Sequence, residues 1–265
     1  IVFGGLTAFL GGTVGLFQSD IKKVIAYSTC SQLGYMVFSC GMSGYVTTLY
    51  HLANHAFFKA LLFLSAGVII HAISDEQDMR KYGNLRKLLP LIYIFMLIAS
   101  LALCGFPFYA GWYSKDIIIE TVFLQDILIP ARFCYWLGSL ATFFTAFYSF
   151  RLVYLTFEGQ FSGFKSYLFN FHEPSKLALI PLIILTFASL FSGYLFQNVF
   201  NLFYSTFFNN IIDVLPQHNF SIEFEFLPVY IKLIPFFYTI TALFLTWFLL
   251  KKLDFSNFSR LKLFL

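Results

Sequence analysis

The stretch PLIYIFMLIASLALCGFPFYAGWYSKDIIIETVFLQ, residues 90–125, decides the fold, because it is apolar yet too long for one membrane crossing. As a single helix its 36 residues would measure roughly 54 Å, whereas the hydrocarbon core of a bilayer is about 30 Å thick. Gly105, Pro107 and Gly111 stand in its middle and disfavour a continuous helix. The pattern predicts two half-helices joined by an irregular stretch at membrane depth. Such a stretch is tolerated only where it is buried in protein or lines a wet cavity.

The composition predicts that the whole chain lies in a membrane. Of its 265 residues, 59% are hydrophobic and only 11% are charged, whereas a soluble domain carries about 25% charged residues. The mean hydropathy is +0.77, and apolar runs of roughly 20 residues recur along the chain. The predicted fold class is all-α, a polytopic bundle of transmembrane helices.

Seven spans are predicted, of which one is discontinuous. We expect one membrane domain over residues 1–250 and a basic tail over residues 251–265. Residues 73–89 are polar and predict a surface connection, and the mixed stretch 200–229 predicts an interfacial segment. The predicted spans are roughly 1–17, 21–42, 45–72, 90–125, 133–158, 177–199 and 230–250.

Threading these spans alternately through the membrane gathers most basic residues on one side. The other side receives essentially Arg132 and Lys232, with most of the loop acids. By the positive-inside rule, the basic side is the cytoplasm or, in an organelle, the matrix. The net charge is only +4, and without a basic stripe no nucleic-acid partner is expected. The basic side receives Lys22, Lys23, Arg80, Lys81, Arg86, Lys87, Lys165, Lys176, Lys251, Lys252, Arg260 and Lys262.

A polar stripe crosses the third predicted span, in the segment HLANHAFFK at residues 51–59. His51, His55 and Lys59 are spaced i, i+4 and i+8, so each is displaced by only about 40° from the previous one around a helix. Ionisable groups are costly in a bilayer and usually face a bundle interior or an ion path. With ordered water between them, these side chains can pass protons along. The stripe, together with Lys115 just after the helix break, predicts a proton wire.

The histidines also have simpler interpretations. A lone histidine more often forms a hydrogen bond to a neighbouring span. His51 and His55 could bind a metal, but no acidic third ligand lies nearby on the same helix. Two haem groups would need histidine pairs on facing helices, whereas His51, His55 and His71 share one span. His71 and the acidic residues 75–78 are expected to cap and solvate the following loop.

The second span opens with QSDIKKVIAYSTCSQLGYM at residues 18–36, which carries charged and hydroxyl side chains. Lys22 and Lys23 are open to two interpretations. Both could extend to the interface, as lysines near helix ends do, or they could open a hydrated half-channel from the basic side. The polar residues of that half-channel would be Tyr27, Ser28, Thr29, Ser31 and Gln32.

Two acids follow the helix break. Asp116 and Glu120 are spaced i, i+4 on the second half-helix. Either one is a candidate partner of Lys115 or a marker of a proton exit. Both possibilities stay open at this point.

The sequence contains no cofactor-binding or nucleophile–base motif, so no redox chemistry is expected in this chain itself. The four cysteines all lie in apolar runs without a CxxC pair. We expect them to be small buried packing residues. They are Cys30, Cys40, Cys104 and Cys134.

Three segments carry a family resemblance. DIKKVIAYSTCSQLGYM (20–36), HLANHAFFKALLFLSAGVIIHAISDEQDMRKYGNL (51–85) and GFPFYAGWYSKD (105–116) closely resemble the mitochondrial NADH dehydrogenase subunit 5 family. These are the distal antiporter-like subunits of respiratory complex I, related to multisubunit sodium/proton antiporters. The resemblance is strong over about residues 10–157 and weak afterwards, where PVYIKLIPFFYTI (228–240) is similar to a late span of the family.

The resemblance implies a fold and roles for individual residues. The family fold has two inverted five-helix repeats, each with a broken helix, around a central chain of lysines and histidines. This chain resembles the second repeat, which implies relay roles for His51, His55 and Lys59. It also implies that Lys115 is the terminal lysine on the second broken helix and that Lys22 lies on the input path from the matrix. The secondary candidates beside this relay are Asp116, Glu120 and Lys23.

The implied function is that of a core membrane-arm subunit of a proton-pumping NADH:ubiquinone oxidoreductase, in which a Lys/His/water relay carries protons. FMN, iron–sulfur clusters and quinone are expected in partner subunits and none in this chain. The implied location is the mitochondrial inner membrane, with the basic loops in the matrix. Cardiolipin near those loops is a candidate lipid partner.

The family's first repeat and its long lateral helix have no counterpart in this sequence. We therefore expect a split subunit that is completed by separately encoded fragments. Two other functions stay open. One is a subunit of a multisubunit sodium/proton antiporter, and the other is a structural spacer that no longer pumps, although unused buried charge would cost stability.

Overall fold

The computed structural model describes residues 1–124, 129–163, 172, 174–200, 212 and 227–255. These residues form eight α-helices: α1 (Val2–Phe17), α2 (Ile21–Gly41), α3 (Tyr45–Ala72), α4 (Pro90–Cys104), α5 (Ala110–Leu124), α6 (Ile129–Val153), α7 (Lys176–Phe200) and α8 (Val229–Phe255). A π-helical turn, Tyr154–Glu158, continues α6, and two 3₁₀ turns, Met79–Lys81 and Leu85–Lys87, lie in the connection before α4. No β-strand occurs in the described ranges. The predicted all-α class is confirmed.

The described helices are consistent with a multi-pass membrane protein. Four of them are long and apolar enough to cross a bilayer, namely α3, α6, α7 and α8, and the apolar helices α1 and α4 are shorter. The predicted interfacial segment 200–229 lies almost wholly outside the described residues. The same holds for the last ten residues of the predicted basic tail.

The predicted break in residues 90–125 is present between α4 and α5. Gly105 ends α4 in the left-handed region, with φ +77°. Its N–H donates to the Ala102 carbonyl (3.2 Å), and the N–H of Phe106 donates to the Leu101 carbonyl (3.0 Å). These two bonds form a Schellman motif, which satisfies carbonyls that the ended helix would leave unpaired. Phe108 also has a positive φ, +71°, a strained conformation for a residue with a side chain.

The two half-helices touch at Gly111. A Cβ atom added at this position would overlap the carbonyl oxygen of Ala102. Only glycine therefore lets α5 begin against the last turn of α4. This contact sets the direction in which α5 leaves the break and, with it, the position of the residues that follow.

α3 is the central helix of the bundle and contacts α2, α4, α5 and α7. Its face toward α7 is held by two hydrogen bonds. The Tyr50 hydroxyl donates to the Gly193 carbonyl (2.6 Å), and Ser192 Oγ donates to Asn54 Oδ1 (2.7 Å). These contacts bury the remaining polar face of α3 between its neighbours, away from lipid.

The connection 73–89 keeps its charged side chains exposed or half-exposed, as expected of a surface loop, and buried apolar residues anchor it to the protein. Met79 and Leu85 are fully buried within it. Its backbone joins the turn between α1 and α2, because Met79 N–H donates to Ser19 O (2.9 Å) and Ile21 N–H donates to Gln77 O (3.1 Å). Burial of these two apolar side chains is favourable because it removes apolar surface from water, so they anchor the loop.

Charged groups of the connection 73–89 and of the end of α6 meet at this same end of the bundle. Arg86 Nη1 lies 3.1 Å from Glu158 Oε1 at the end of α6. Partial burial raises the pKa of Asp78, but hydrogen bonds and charge from Arg80 outweigh that effect and hold it below its usual value. The common location of these loops agrees with the alternating threading from which the basic side was predicted.

Gly111→Ala tests the contact between the half-helices. We expect it to destabilise the protein by about 1–3 kcal/mol, the usual cost of forcing extra atoms into a packed site. The measurement is thermal unfolding of the purified protein in detergent. Gly67→Ala is the matched control, since a Cβ there would meet nothing within 4 Å. Equal unfolding temperatures for the two variants would contradict the proposed contact.

Candidate functional site

The predicted stripe on α3 lies inside the bundle. His51 is fully buried, and His55 and Lys59 are each only 5% exposed. The ring centroids of His51 and His55 are 6.0 Å apart. Because the three side chains follow the helical period, they lie on one face and meet the same set of neighbouring helices.

His51 joins two other helices. Its Nδ1 lies 2.9 Å from Ser114 Oγ on α5, and its Nε2 lies 3.1 Å from Gln32 Oε1 on α2. The ring is therefore hydrogen-bonded on both sides within a fully buried site. Ser114 directly precedes Lys115, so the ring is linked to the half-helix that carries that lysine.

Lys59 reaches the same helix, α2, nearer its N-terminus. Its Nζ donates to Ser28 Oγ and lies 3.4 Å from the carbonyl oxygen of Ile25. A hydroxyl and a carbonyl are neutral acceptors, which can hold either an ammonium or a neutral amine.

Lys115 points from α5 toward α6. Its side chain is 1% exposed, and Nζ donates to Thr145 Oγ1 at 2.9 Å. It also lies 5.3 Å from the centre of the Tyr35 ring, a distance at which a cation is attracted to an aromatic face. Among the described residues, no carboxylate oxygen lies within 4.0 Å of the ammonium of Lys59 or Lys115.

Asp116 and Glu120 face a cavity instead. Both are 9% exposed and line a space of about 650 Å³ between α5, α7 and α8, together with Lys232. Aromatic side chains, including Trp112 and Phe236, form much of its wall. The geometry thus separates the two acids from the Lys115–Thr145 contact, although all three ionisable groups belong to one helix.

The two lysines at the start of α2 stand apart from the stripe. The side chains of Lys22 and Lys23 are exposed, and their backbone N–H groups donate to the Asp20 carboxylate, which caps the helix. His71 is exposed as well and lies 3.8 Å from Asp75, in line with the expected solvation of the loop.

The described part of the chain contains no cluster of three His, Cys, Asp or Glu side chains able to hold a metal ion. All four cysteines are free, with Cys104 and Cys134 buried, Cys40 half-buried and Cys30 exposed. The expectation of a buried packing role is therefore wrong for Cys30. Its helix turns that position outward from the bundle.

Three buried polar contacts were not predicted from the sequence. Ser114 and Thr145 supply the partners of His51 and Lys115, and Arg151 binds the end of α1. The Arg151 side chain is 1% exposed, and its Nη1 donates to the carbonyls of Leu16 (2.6 Å) and Gln18 (2.8 Å). For Thr145 the available signal was a run of hydroxyl residues at helical spacing on α6, which are buried in the structure. These are Ser139, Thr142, Thr145 and Ser149.

Comparisons with known proteins agree with this arrangement. The family described as NADH:quinone oxidoreductase/Mrp antiporter, TM, matches residues 1–145. A protein of Chondrus crispus named NADH-ubiquinone oxidoreductase chain 5 is 53% identical over 252 residues, 94% of this chain and 38% of that protein. A protein of the same name from Phytophthora infestans is 48% identical over 94% of this chain and 37% of its own length. Another, from Marchantia polymorpha, is 50% identical over 92% of this chain and 36% of its own length.

The chain thus spans little more than a third of the length of these curated relatives. Its fold is similar to a chain in the structure of the Mrp complex from Dietzia sp. DQ12-45-1b. The TM-score is 0.66 at 22% identity, over 97% of this chain and 28% of that one. The structural likeness supports the antiporter-like helical fold.

Proposed function

Because the chain belongs to the NADH:quinone oxidoreductase/Mrp antiporter transmembrane family, we propose that it translocates protons in the membrane arm of respiratory complex I. The relatives at 48–53% identity are named NADH-ubiquinone oxidoreductase chain 5. These names support a role as a complex I subunit over a role as an antiporter subunit. The observation that carries the proposal is a set of buried basic groups linked between helices. His51 is hydrogen-bonded to Ser114 on α5. Lys115, on the same helix α5, donates a hydrogen bond to Thr145 on α6.

The proposed path runs along α3 and then into α5. Lys59, His55 and His51 spread exchangeable groups over about 12 Å of membrane depth, and Lys115 receives the proton beyond the break. Neutral partners such as Ser28 and Thr145 suit this task. A carboxylate fixed beside either lysine would hold the proton by its charge.

Entry and exit are proposed from the remaining candidates. Lys22 is assigned to the entry at the basic side, with Lys23 extending to the interface. Asp116 and Glu120 are assigned to the exit, because they line the 650 Å³ cavity and lie progressively toward the end of α5 that faces the opposite side. A proton leaving Lys115 would reach these acids before it reaches bulk water.

The chain is proposed to act as a subunit of an H⁺-translocating NADH:ubiquinone reductase whose redox chemistry takes place in other subunits. Those partners would hold FMN, iron–sulfur clusters and quinone. The proposed location is the mitochondrial inner membrane with the basic loops in the matrix. The proposed partners are other membrane-arm subunits and separately encoded fragments that complete the subunit. Membrane lipids are proposed partners as well, with cardiolipin as a candidate at the basic loops.

A multisubunit sodium/proton antiporter is the second candidate, favoured by the structural likeness to a chain of an Mrp complex. It would be driven by ion gradients alone. Proton flux that requires sodium and persists without NADH oxidation would support this alternative and overturn the first proposal.

Replacing the relay lysines tests the proposed function. In the assembled complex in vesicles, we expect Lys59→Ala and Lys115→Ala to lower the number of protons moved per NADH oxidised while assembly is largely retained. The cause is the loss of a group that both accepts and releases the proton. Lys87→Ala is the control, since Lys87 is exposed on the basic side. A normal proton-to-electron ratio in both relay variants would rule out the assignment.

The Lys115 contact has its own test. Thr145→Val removes the acceptor but keeps the shape, and a hydrogen bond to a charged group is worth about 1.5–3 kcal/mol. We expect roughly a tenfold or larger loss of pumping rate. Thr142→Val is the matched control, because the Thr142 hydroxyl donates only to the Ser139 carbonyl. If both variants slow pumping equally, the Thr145 contact is not specific.

The partners are tested by mass spectrometry of native-gel slices from gently solubilised source membranes. Peptides of residues 73–89 and 251–265 should co-migrate with NADH-oxidising activity. A fragment covering the remaining length of the relatives in the same band would support the split-subunit expectation. Migration in a smaller band without that activity would favour the antiporter.

A further inference from the structure

One turn beyond the hydroxyl that accepts from Lys115, α6 contains a second buried hydroxyl that the proposed relay does not use. Thr145 Oγ1 accepts the hydrogen bond of Lys115 Nζ (2.9 Å). Tyr148 follows three residues later on the same helix, and its side chain is 1% exposed. Residues at i and i+3 share one face of a helix, with their Cβ atoms about 5–6 Å apart. Tyr148 therefore lies on the face of α6 that meets Lys115.

The Tyr148 hydroxyl also lies close to the other lysine of the relay. It is near Ser28 on α2, whose Oγ accepts the hydrogen bond of Lys59 Nζ. The Ser28 hydroxyl itself donates to the Ile25 carbonyl (2.7 Å), and a hydroxyl oxygen has two acceptor lone pairs. Lys59 uses one of them, so the second is available to the O–H of Tyr148.

The two lysine sites approach each other around this hydroxyl. Cys104, the last residue of α4, interacts electrostatically with both Lys59 and Lys115, and with Tyr148 as well. Its Sγ lies 4.0 Å from the carbonyl oxygen of Thr145. Polar groups of both lysine sites therefore lie around the Tyr148 side chain.

The Tyr148 hydroxyl has no hydrogen-bond partner among the described residues. An unpaired buried hydroxyl costs free energy, and such groups commonly bond to ordered water. The ring is held in place by α1, because a Cβ atom added at Gly15 would come within 3.3 Å of Tyr148 Cδ1. A fixed ring that presents an unpaired hydroxyl between two lysine sites suits proton transfer through water.

We propose that the Tyr148 hydroxyl, with bound water, forms a second proton connection between Lys59 and Lys115, which runs along α6 and bypasses His51. The inference rests on the proposed proton relay and adds a parallel route to it. A proton that arrives at the hydroxyl oxygen from the Ser28 side displaces the original O–H proton toward the Lys115 side, and rotation of the O–H then restores the starting arrangement. Tyr148 holds the same number of protons before and after each transfer.

Two parallel routes predict a larger loss when both are removed than when either is removed alone. Tyr148→Phe removes the hydroxyl and keeps the ring, and His51→Leu interrupts the histidine route. The pumping rate is measured on the assembled complex in vesicles and divided by the amount of complex. We expect Tyr148→Phe to slow pumping at most about twofold by itself and roughly tenfold or more in the His51→Leu background, a coupling typical of neighbouring groups.

Tyr135→Phe is the matched control, because Tyr135 is another buried tyrosine of α6 whose hydroxyl has no partner among the described residues. It should leave the pumping rate unchanged in both backgrounds. A merely structural role for Tyr148 would act without regard to His51. A loss that is no greater in the His51→Leu background, or an equal loss with Tyr135→Phe, would overturn the inference.

Infrared difference spectra give a second measurement on the intact complex. With isotope-labelled tyrosine, the addition of NADH should change a tyrosine C–O band that persists in Tyr135→Phe and is missing in Tyr148→Phe. Absence of this change from the unsubstituted complex would overturn the inference even if Tyr148→Phe failed to assemble. If Lys59→Ala and Lys115→Ala still lower pumping in that case, the proposed function stands. Normal pumping in both lysine variants would overturn the proposed function and this inference together.

Discussion

Ionisable groups inside an apolar bundle must find polar partners within the protein, and the rest of this structure depends on that constraint. No single helix satisfies it. His51 on α3 takes one partner from α2 and one from α5, Lys59 takes its acceptors from α2, and Lys115 takes its acceptor from α6. The stripe therefore links α2, α3 and α5 through polar contacts. Loss of one partner would leave a buried group unsatisfied in another helix.

The helix break positions these partners. Gly105 ends α4 and Gly111 lets α5 start against the Ala102 carbonyl, so the first turns of α5 face the stripe. Ser114 and Lys115 are consecutive and point to different helices, one to His51 and the other to Thr145. A small movement of α5 would change both contacts together. This gives a physical route by which charge on one side of the half-helix affects the other.

The sequence predicted the elements better than their contacts. The break, the seven spans and the shared face of His51, His55 and Lys59 follow from glycines, a proline and helical periodicity, which act locally. The charges of the connection 73–89 lie at the surface as predicted, but its polar sequence did not show that Met79 and Leu85 would be buried or that its backbone would bond to the turn before α2. The buried role expected of Cys30 was wrong, since an apolar neighbourhood in sequence does not state which side of a helix faces lipid.

The sequence by itself determined that this chain is a membrane-embedded helical bundle with a discontinuous helix and a basic stripe on one face of α3. Periodicity, hydropathy and helix-breaking residues act over a few helical turns, so they are visible in the sequence of a single segment. Only the tertiary structure decided that Ser114, Thr145 and Gln32 are the partners of the basic groups, and that Asp116 and Glu120 face a separate cavity. Those pairings join residues on different helices, and the crossing and rotation of packed helices are set by the fit of all their side chains together.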